Sequence, residues 1–191
     1  MNLDGHEIVD AASVLRVTDH TLGVVIAWVV DAQPSLTVVS QSIAEPPHPA
    51  WAVPPLGVSS RLLVRRTAYG IGRLALSRNL ACVDLTRVPS DIAAALESER
   101  LNLGELFLSD TIEKTTFRFH VPGEIDRSLH EGYPDGPVPF DPFVARRYEA
   151  TFGGSTAFVV VESLPVKTWA SLLGSGEERS RVLALANIGA T

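Results

Sequence analysis

The chain contains a single cysteine, Cys82, in 191 residues, which excludes an internal disulfide framework and suits a reducing compartment. Within the run Leu80-Ala81-Cys82-Val83 that thiol reads as a small buried hydrophobe rather than a reactive group. Excess positive charge is missing as well: 16 basic residues stand against 22 acidic ones, a formal net charge of -6. A general nucleic-acid binder needs a basic face, so that class is set aside, although the doublets Arg65-Arg66 and Arg146-Arg147 allow a local basic patch. Long apolar runs are absent. The most apolar segment, Leu22 to Val30, falls well short of the about 20 residues that span a bilayer. Met1-Asn2-Leu3-Asp4 has neither the basic nor the apolar region of a signal peptide, so a cytoplasmic protein is expected.

Common catalytic signatures are equally scarce. His6, His20, His48, His120 and His130 are scattered without metal-ligand spacing, and no metal site is expected. There is no Walker-type loop and no dinucleotide fingerprint, since Gly70-x-Gly72 is explained by a hairpin turn. Gly174-Ser175-Gly176 resembles a nucleophile elbow only superficially. No cofactor is implied, and no internal repeat is present.

What is present is a hydrophobic fraction of 46% with 20% charged residues, enough at this length for one soluble domain with a sizeable core. Helical spacing of Ile8, Ala11, Ala12 and Leu15 predicts a short helix before Thr18. Leu22 to Val30 fits a buried helix or a buried strand equally well, with Thr18 or Asp19 as a cap. Leu36 to Ile43 reads as a strand with Leu36, Val38 and Ser40 on one face. Five prolines between Pro46 and Pro55 make the next stretch stiff and irregular.

Ser60 to Tyr69 and Leu74 to Leu85 read as a hairpin across Gly70-Ile71-Gly72. Pro89 to Leu96 reads as a helix, and a short amphipathic piece follows Leu103-Gly104 through Leu108. Thr111 to Val121 alternates, with Thr115, Phe117, Phe119 and Val121 on one face and Thr116, Arg118 and His120 on the other. Residues 122–142 form a long Pro- and Gly-rich stretch, a candidate lid. Arg146 to Phe152 and Ala157 to Leu164 make a closing hairpin across Gly153-Gly154, and a further helix is predicted from Glu177 to Asn187. The order lacks βαβ alternation, so the expected class is α+β: one mainly antiparallel sheet of about six strands.

The chemistry rests on charged residues placed on strands. Glu162 closes the run Phe158-Val159-Val160-Val161, and period-2 alternation puts it on the face of Phe158 and Val160. A carboxylate there must find a partner, shift its pKa or serve a ligand; a frayed strand end reaching solvent is the alternative. In Arg61-Leu62-Leu63-Val64-Arg65-Arg66 one of the last two arginines must face the apolar layer. That arginine is either an ion-pair partner, with Glu162 the obvious candidate, or a fork for a ligand carboxylate.

Three ordered blocks resemble the chorismate pyruvate-lyase family, in its actinobacterial type. They are Arg61 to Arg65; Val88-Pro89 with Leu103-Gly104-Glu105-Leu106, Thr111 and Lys114; and Arg146-Arg147-Tyr148 through Val161-Glu162-Ser163-Leu164-Pro165. The resemblance covers roughly residues 15–166 of a single domain spanning 1–191, with 170–191 as a C-terminal extension. It implies helical flaps over an internal cavity and cofactor-free conversion of chorismate to 4-hydroxybenzoate and pyruvate, for secondary metabolism. It also implies that Arg65 holds the ring carboxylate and Glu162 meets the 4-hydroxyl. Leu103 and Gly104, with Leu22 and Thr21, would line the substrate, and Arg78 and Lys114 would hold the enolpyruvyl carboxylate. The partner is then a small molecule, chorismate, with neither nucleic acid nor membrane involved. The same fold is similar to the UTRA effector-binding domain of transcription regulators, which senses ligands without turning them over. The short N-terminus, without room for a winged helix, weighs against that alternative. A family member recruited to another reaction on a biosynthetic intermediate is the third reading.

Overall fold

A computed structural model describes residues 11–17, 20–44, 53–56, 61–120 and 142–174. Helix α1 covers residues 11–15, followed by α2 (Leu22–Val30), β1 (Ser35–Ala44) and α3 (Val53–Leu56). The hairpin β2 (Leu62–Ile71) and β3 (Leu74–Asp84) leads to α4 (Ser90–Glu97) and α5 (Leu103–Leu106). Strand β4 (Ile112–His120) precedes the second hairpin, β5 (Phe143–Phe152) and β6 (Ser155–Pro165), and α6 (Val166–Leu172). The strands form one antiparallel six-stranded sheet in the order β1-β2-β3-β6-β5-β4. The α+β class and the antiparallel sheet expected from the sequence are therefore borne out. Among the described residues no helix is long and apolar enough to cross a membrane.

The sequence ambiguity at residues 22–30 resolves as a helix because Leu22, Val25, Ile26 and Val29 recur at i, i+3, i+4 and i+7 and are all buried. Asp31, in the left-handed region at φ 50°, ends it. Strands β3 and β6 lie side by side at the centre of the sheet and are buried on both faces, which is why they read as near-continuous apolar runs. On one face Leu63, Ala81, Val83, Tyr148, Phe158 and Val160 pack against Leu96 of α4 and Leu106 of α5. Further along, Val144 and Leu164 join Leu15, Leu22, Ile26 and Trp169. The opposite face carries Leu62, Val64, Leu80, Cys82, Val159 and Val161, with Leu56 of α3. Each large aliphatic or aromatic side chain buried in this way contributes roughly 1.5–3 kcal/mol.

Several boundaries differ from the sequence reading. The first hairpin turns at Gly72-Arg73, with Gly72 at φ 57°, so of Gly70-Ile71-Gly72 only Gly72 lies in the turn and Gly70 and Ile71 belong to β2. In β1 a bulge between Val38 and Ser40 breaks the face assigned to Leu36, Val38 and Ser40. In β4 the register shifts between Thr115 and Arg118, with Thr116 at φ 54°. Phe117 accordingly packs on the core, whereas Phe119, two residues on in an edge strand, is 46% exposed. Helix α6 has no counterpart in the sequence reading. The proposed lid, residues 122–142, apart from Pro142 itself, and the helix from Glu177 to Asn187 lie outside the described residues.

Candidate functional site

Strand alternation puts one row of polar side chains on the face that also carries α4 and α5. Strand β2 supplies Arg65, Thr67 and Tyr69, β3 supplies Asn79, β5 supplies Tyr148, and β6 supplies Glu162. These residues form the floor of a cavity of about 300 Å³, the small end of the range for small-molecule sites (roughly 300–1,000 Å³). One wall is Thr21 and Leu22 at the start of α2. The other is the connection from α4 to α5, residues 99–105, with Phe107 behind it. Glu99 turns the chain into that wall through a left-handed residue at φ 57°. Arg100 and Leu101 both donate their main-chain N–H to the Ala95 oxygen.

Arg65 is 2% exposed, and three of the five N–H donors of its guanidinium are engaged. Nε donates to Gln41 Oε1 at 2.5 Å, Nη1 to the Leu101 oxygen at 2.8 Å and Nη2 to the Leu96 oxygen at 2.5 Å. Gln41 in turn donates to the oxygens of Leu96 and Glu97. Arg65 thus caps the C-terminal end of α4, where the helix dipole favours a cation, and ties the α4–α5 wall to the sheet. Burial pulls its pKa below the ordinary guanidinium value, and the charge of Glu99 works in the opposite sense. No carboxylate among the described residues forms an ion pair with it.

Glu162, 7% exposed, is not at a frayed end, since β6 continues to Pro165. Its ion-pair partner is Arg146, directly opposite on β5, rather than Arg65 or Arg66. Arg146 Nε donates to Oε2 at 2.5 Å, and the Tyr148 hydroxyl donates to Oε1 at 3.3 Å. Burial first, and then the charge of Glu162, push the Tyr148 phenol well above its usual pKa. Tyr69 is pushed up to about 12 by burial and by the charges of Glu162 and Glu105. Both phenols are therefore protonated near neutral pH.

The geometry also explains where Tyr69 goes. A Cβ on Gly23 would lie 2.7 Å from the Tyr69 oxygen, and one on Gly104 would lie 3.4 Å from it. The phenol is threaded between α2 and α5, and only a glycine fits at position 23. The hydroxyls of Thr21 and Tyr69 face the cavity without a hydrogen-bond partner among the described residues.

Six residues singled out from the sequence, Thr21, Leu22, Arg65, Leu103, Gly104 and Glu162, come together around this cavity. Two do not. Arg78 has the opposite strand parity from Asn79, so it emerges on the other face, where its Cζ lies 5.4 Å from the Phe143 ring centroid. Lys114 sits behind the lining, its Nζ 5.9 and 5.7 Å from the Phe107 and Tyr148 ring centroids and 3.3 Å from the His20 oxygen. Sequence reasoning missed Gln41, Tyr69, Asn79, Tyr148 and the role of Arg146. Tyr69 had a usable signal, standing four residues after Arg65 and hence on its face. Among the described residues no cluster of His, Cys, Asp and Glu suits a metal ion.

No protein-family model matches the chain, and no curated protein matches it significantly. Solved structures do. PhnF from Mycobacterium smegmatis is similar over 76% of this chain and 63% of its own, at 12% identity and a TM-score of 0.52. The PhnF C-terminal domain is similar over 69% of this chain and 82% of its own, at 14% identity and a TM-score of 0.49. A GntR-family transcriptional regulator from Bacillus cereus is similar over 72% and 94%, at 12% identity and a TM-score of 0.48. At such identities the likeness to PhnF from Mycobacterium smegmatis is one of fold alone.

Proposed function

We propose that this chain is a small-ligand-binding domain whose cavity takes a compact ring carboxylate. The carboxylate of the ligand lies on Arg65, and a hydroxyl on the ring meets Oε1 of Glu162. The observation that carries this reading is that a buried cation and a buried acid face one cavity, each secured by other partners and neither by the other. Arg65 keeps two N–H donors beyond the three already engaged, enough for a carboxylate fork. Glu162, with Arg146 on Oε2 and the Tyr148 hydroxyl on Oε1, is a fixed acceptor, a geometry that suits recognition of a ligand hydroxyl. The hydroxyls of Thr21 and Tyr69 offer further polar contacts at the α2 end.

A second reading is chorismate turnover to 4-hydroxybenzoate and pyruvate. It is favoured by the meeting of Thr21, Leu22, Arg65, Leu103, Gly104 and Glu162 around a single cavity, six of the eight residues that the resemblance implied, Arg78 and Lys114 standing outside it. Aromatisation makes the elimination downhill: the C–O bond to the enolpyruvyl group breaks as C4 loses its proton, the departing enolpyruvate takes a proton up to become pyruvate, and the cavity's task is to hold the reactive conformer. In this reading Glu162 orients the 4-hydroxyl and Arg65 holds the ring carboxylate.

Two experiments on the purified chain separate the readings. Titration calorimetry with 4-hydroxybenzoate is expected to show saturable binding, and incubation with chorismate to leave it unchanged. Release of 4-hydroxybenzoate and pyruvate in equal amounts would replace the first reading by the second. Neither binding nor turnover would remove both.

A further inference from the structure

Arg146 does not line the cavity, yet it holds two parts of its wall. Its guanidinium is fully buried. Nε donates to Glu162 Oε2 at 2.5 Å, while Nη1 donates to the main-chain oxygens of Leu15 and Val17 at 2.8 and 2.7 Å. Those two oxygens belong to the described segment 11–17, which precedes Thr21 and Leu22 of the α2 wall in the sequence. The same guanidinium lies over the Tyr148 ring, Cζ 5.7 Å from its centroid, and the Tyr148 hydroxyl completes the hold on Glu162.

We propose that Arg146 is a positioning residue: it aims Oε1 of Glu162 into the cavity, fixes the start of α2 at its rim, and so sets which ligand groups are accepted at that end. The carboxylate cannot turn about its last side-chain torsion without giving up a charge-assisted bond on Oε2. With one oxygen neutralised and the other presented, this end accepts a hydroxyl donor and repels a second carboxylate. Lysine cannot replace the fork, because a single ammonium on a flexible stem does not reproduce Nε toward the carboxylate and Nη1 toward two carbonyls.

The selectivity part of the inference rests on the ligand-binding reading; the part about α2 does not, and the test keeps them apart. In the full chain, Arg146→Lys is compared with the unchanged protein by hydrogen exchange and by calorimetry with 4-hydroxybenzoate and benzoate. Amides in the first turn of α2 are expected to exchange about ten-fold faster, equivalent to about 1.4 kcal/mol, while those of β3 stay within a factor of three. The preference for 4-hydroxybenzoate over benzoate is expected to fall by about ten-fold, the size of one lost charged hydrogen bond. A role in general stability alone would weaken both ligands equally and raise exchange throughout the sheet, overturning the inference. Unchanged exchange and unchanged preference would overturn it too.

Should Arg146→Lys fail to fold, Tyr148→Phe replaces it, because it removes one bond to Glu162 without unpairing a charge. That variant is expected to reduce the preference about three-fold with α2 exchange unaltered, and an unaltered preference counts against the proposal. If the unchanged protein binds neither probe, the ligand-binding reading falls and the exchange comparison alone decides the role of Arg146.

Discussion

Arg65 and Glu162 face the same cavity without pairing: the cation is held by Gln41 and the oxygens of Leu96 and Leu101, the acid by Arg146 and Tyr148. Each residue is thus both part of the scaffold and part of the wall. Substitutions at either position therefore carry a stability cost alongside any loss of binding, and the two effects have separate signatures.

Glu162→Gln removes the only acid among the described residues that pairs with Arg146, leaving a guanidinium with no solvent exposure beside a neutral amide. Unpairing a buried ion pair costs roughly 3–5 kcal/mol. Urea unfolding followed by far-UV circular dichroism is expected to show that loss, with an unchanged slope. A stability within 1 kcal/mol of the unaltered protein, on the scale of exposed pairs, would mean that the pair is hydrated in solution.

Arg65→Ala removes two hydrogen bonds that join the α4–α5 wall to the sheet and a third to Gln41 of β1. The expected destabilisation is about 3 kcal/mol, since the Leu96 and Leu101 oxygens are left without their cation. Limited proteolysis should then cut first within residues 98–107, next to the freed wall. Cutting that begins elsewhere would show that Arg65 does not anchor this segment.

Gly23→Ala isolates the Tyr69 slot. In an open helix this change stabilises by about 1 kcal/mol, but here the new methyl would lie 2.7 Å from the phenol oxygen. A net loss of roughly 1–3 kcal/mol is expected from overpacking. In the background Tyr69→Ala the same change should become stabilising. A double-mutant cycle by thermal unfolding measures that reversal, and additivity would contradict the threading of Tyr69 between α2 and α5.

Alkaline pH should destabilise the fold in two stages. Burial raises Cys82 from 9.0 to about 12, with the Arg66 charge opposing the shift; burial together with two carboxylates raises Tyr69 from 10.0 to about 12, and Tyr148, raised well above 10.0 mainly by burial, adds to the second stage. Above its ordinary value each group loses its proton in the unfolded chain while the folded chain retains it. Stability is thus unaffected below pH 9 and falls as pH rises toward 12, by about 1.4 kcal/mol per pH unit for each group. Cys82→Ala should remove the part of the fall between pH 9 and 10. Denaturant midpoints from pH 8 to 11 test this, and a flat profile would contradict the burial of these groups.

Much of this architecture is legible from local pattern. The buried run from Phe158 to Val161, the glycine turns of both hairpins and the short α4 stripe each follow from periodicity and turn chemistry. Parity puts Glu162 on the face of Phe158 and Val160 and narrows the inward arginine of β2 to Arg65 or Arg66; the register of β2, β3 and β6 and the resemblance single out Arg65. What pattern cannot carry is pairing between distant strands. The partner of Glu162 is set by the β5–β6 register, which puts Arg146 opposite it and Arg65 two strands away. Bulges in β1 and β4 erase the simple alternation read at Ser40 and Phe119. The same parity rule, applied to β3, would have put Arg78 on the far side from Asn79; the resemblance alone had brought it to the site.

The cavity under α2 and the α4–α5 connection is proposed to hold a ring carboxylate on Arg65. Calorimetric titration of the folded chain with 4-hydroxybenzoate, beside the folded Arg65→Lys variant, decides this. Single-site binding that weakens by about ten-fold or more in the variant is expected, as for one lost bidentate contact. Binding of equal strength in the two proteins, or none in the unaltered chain, would contradict it.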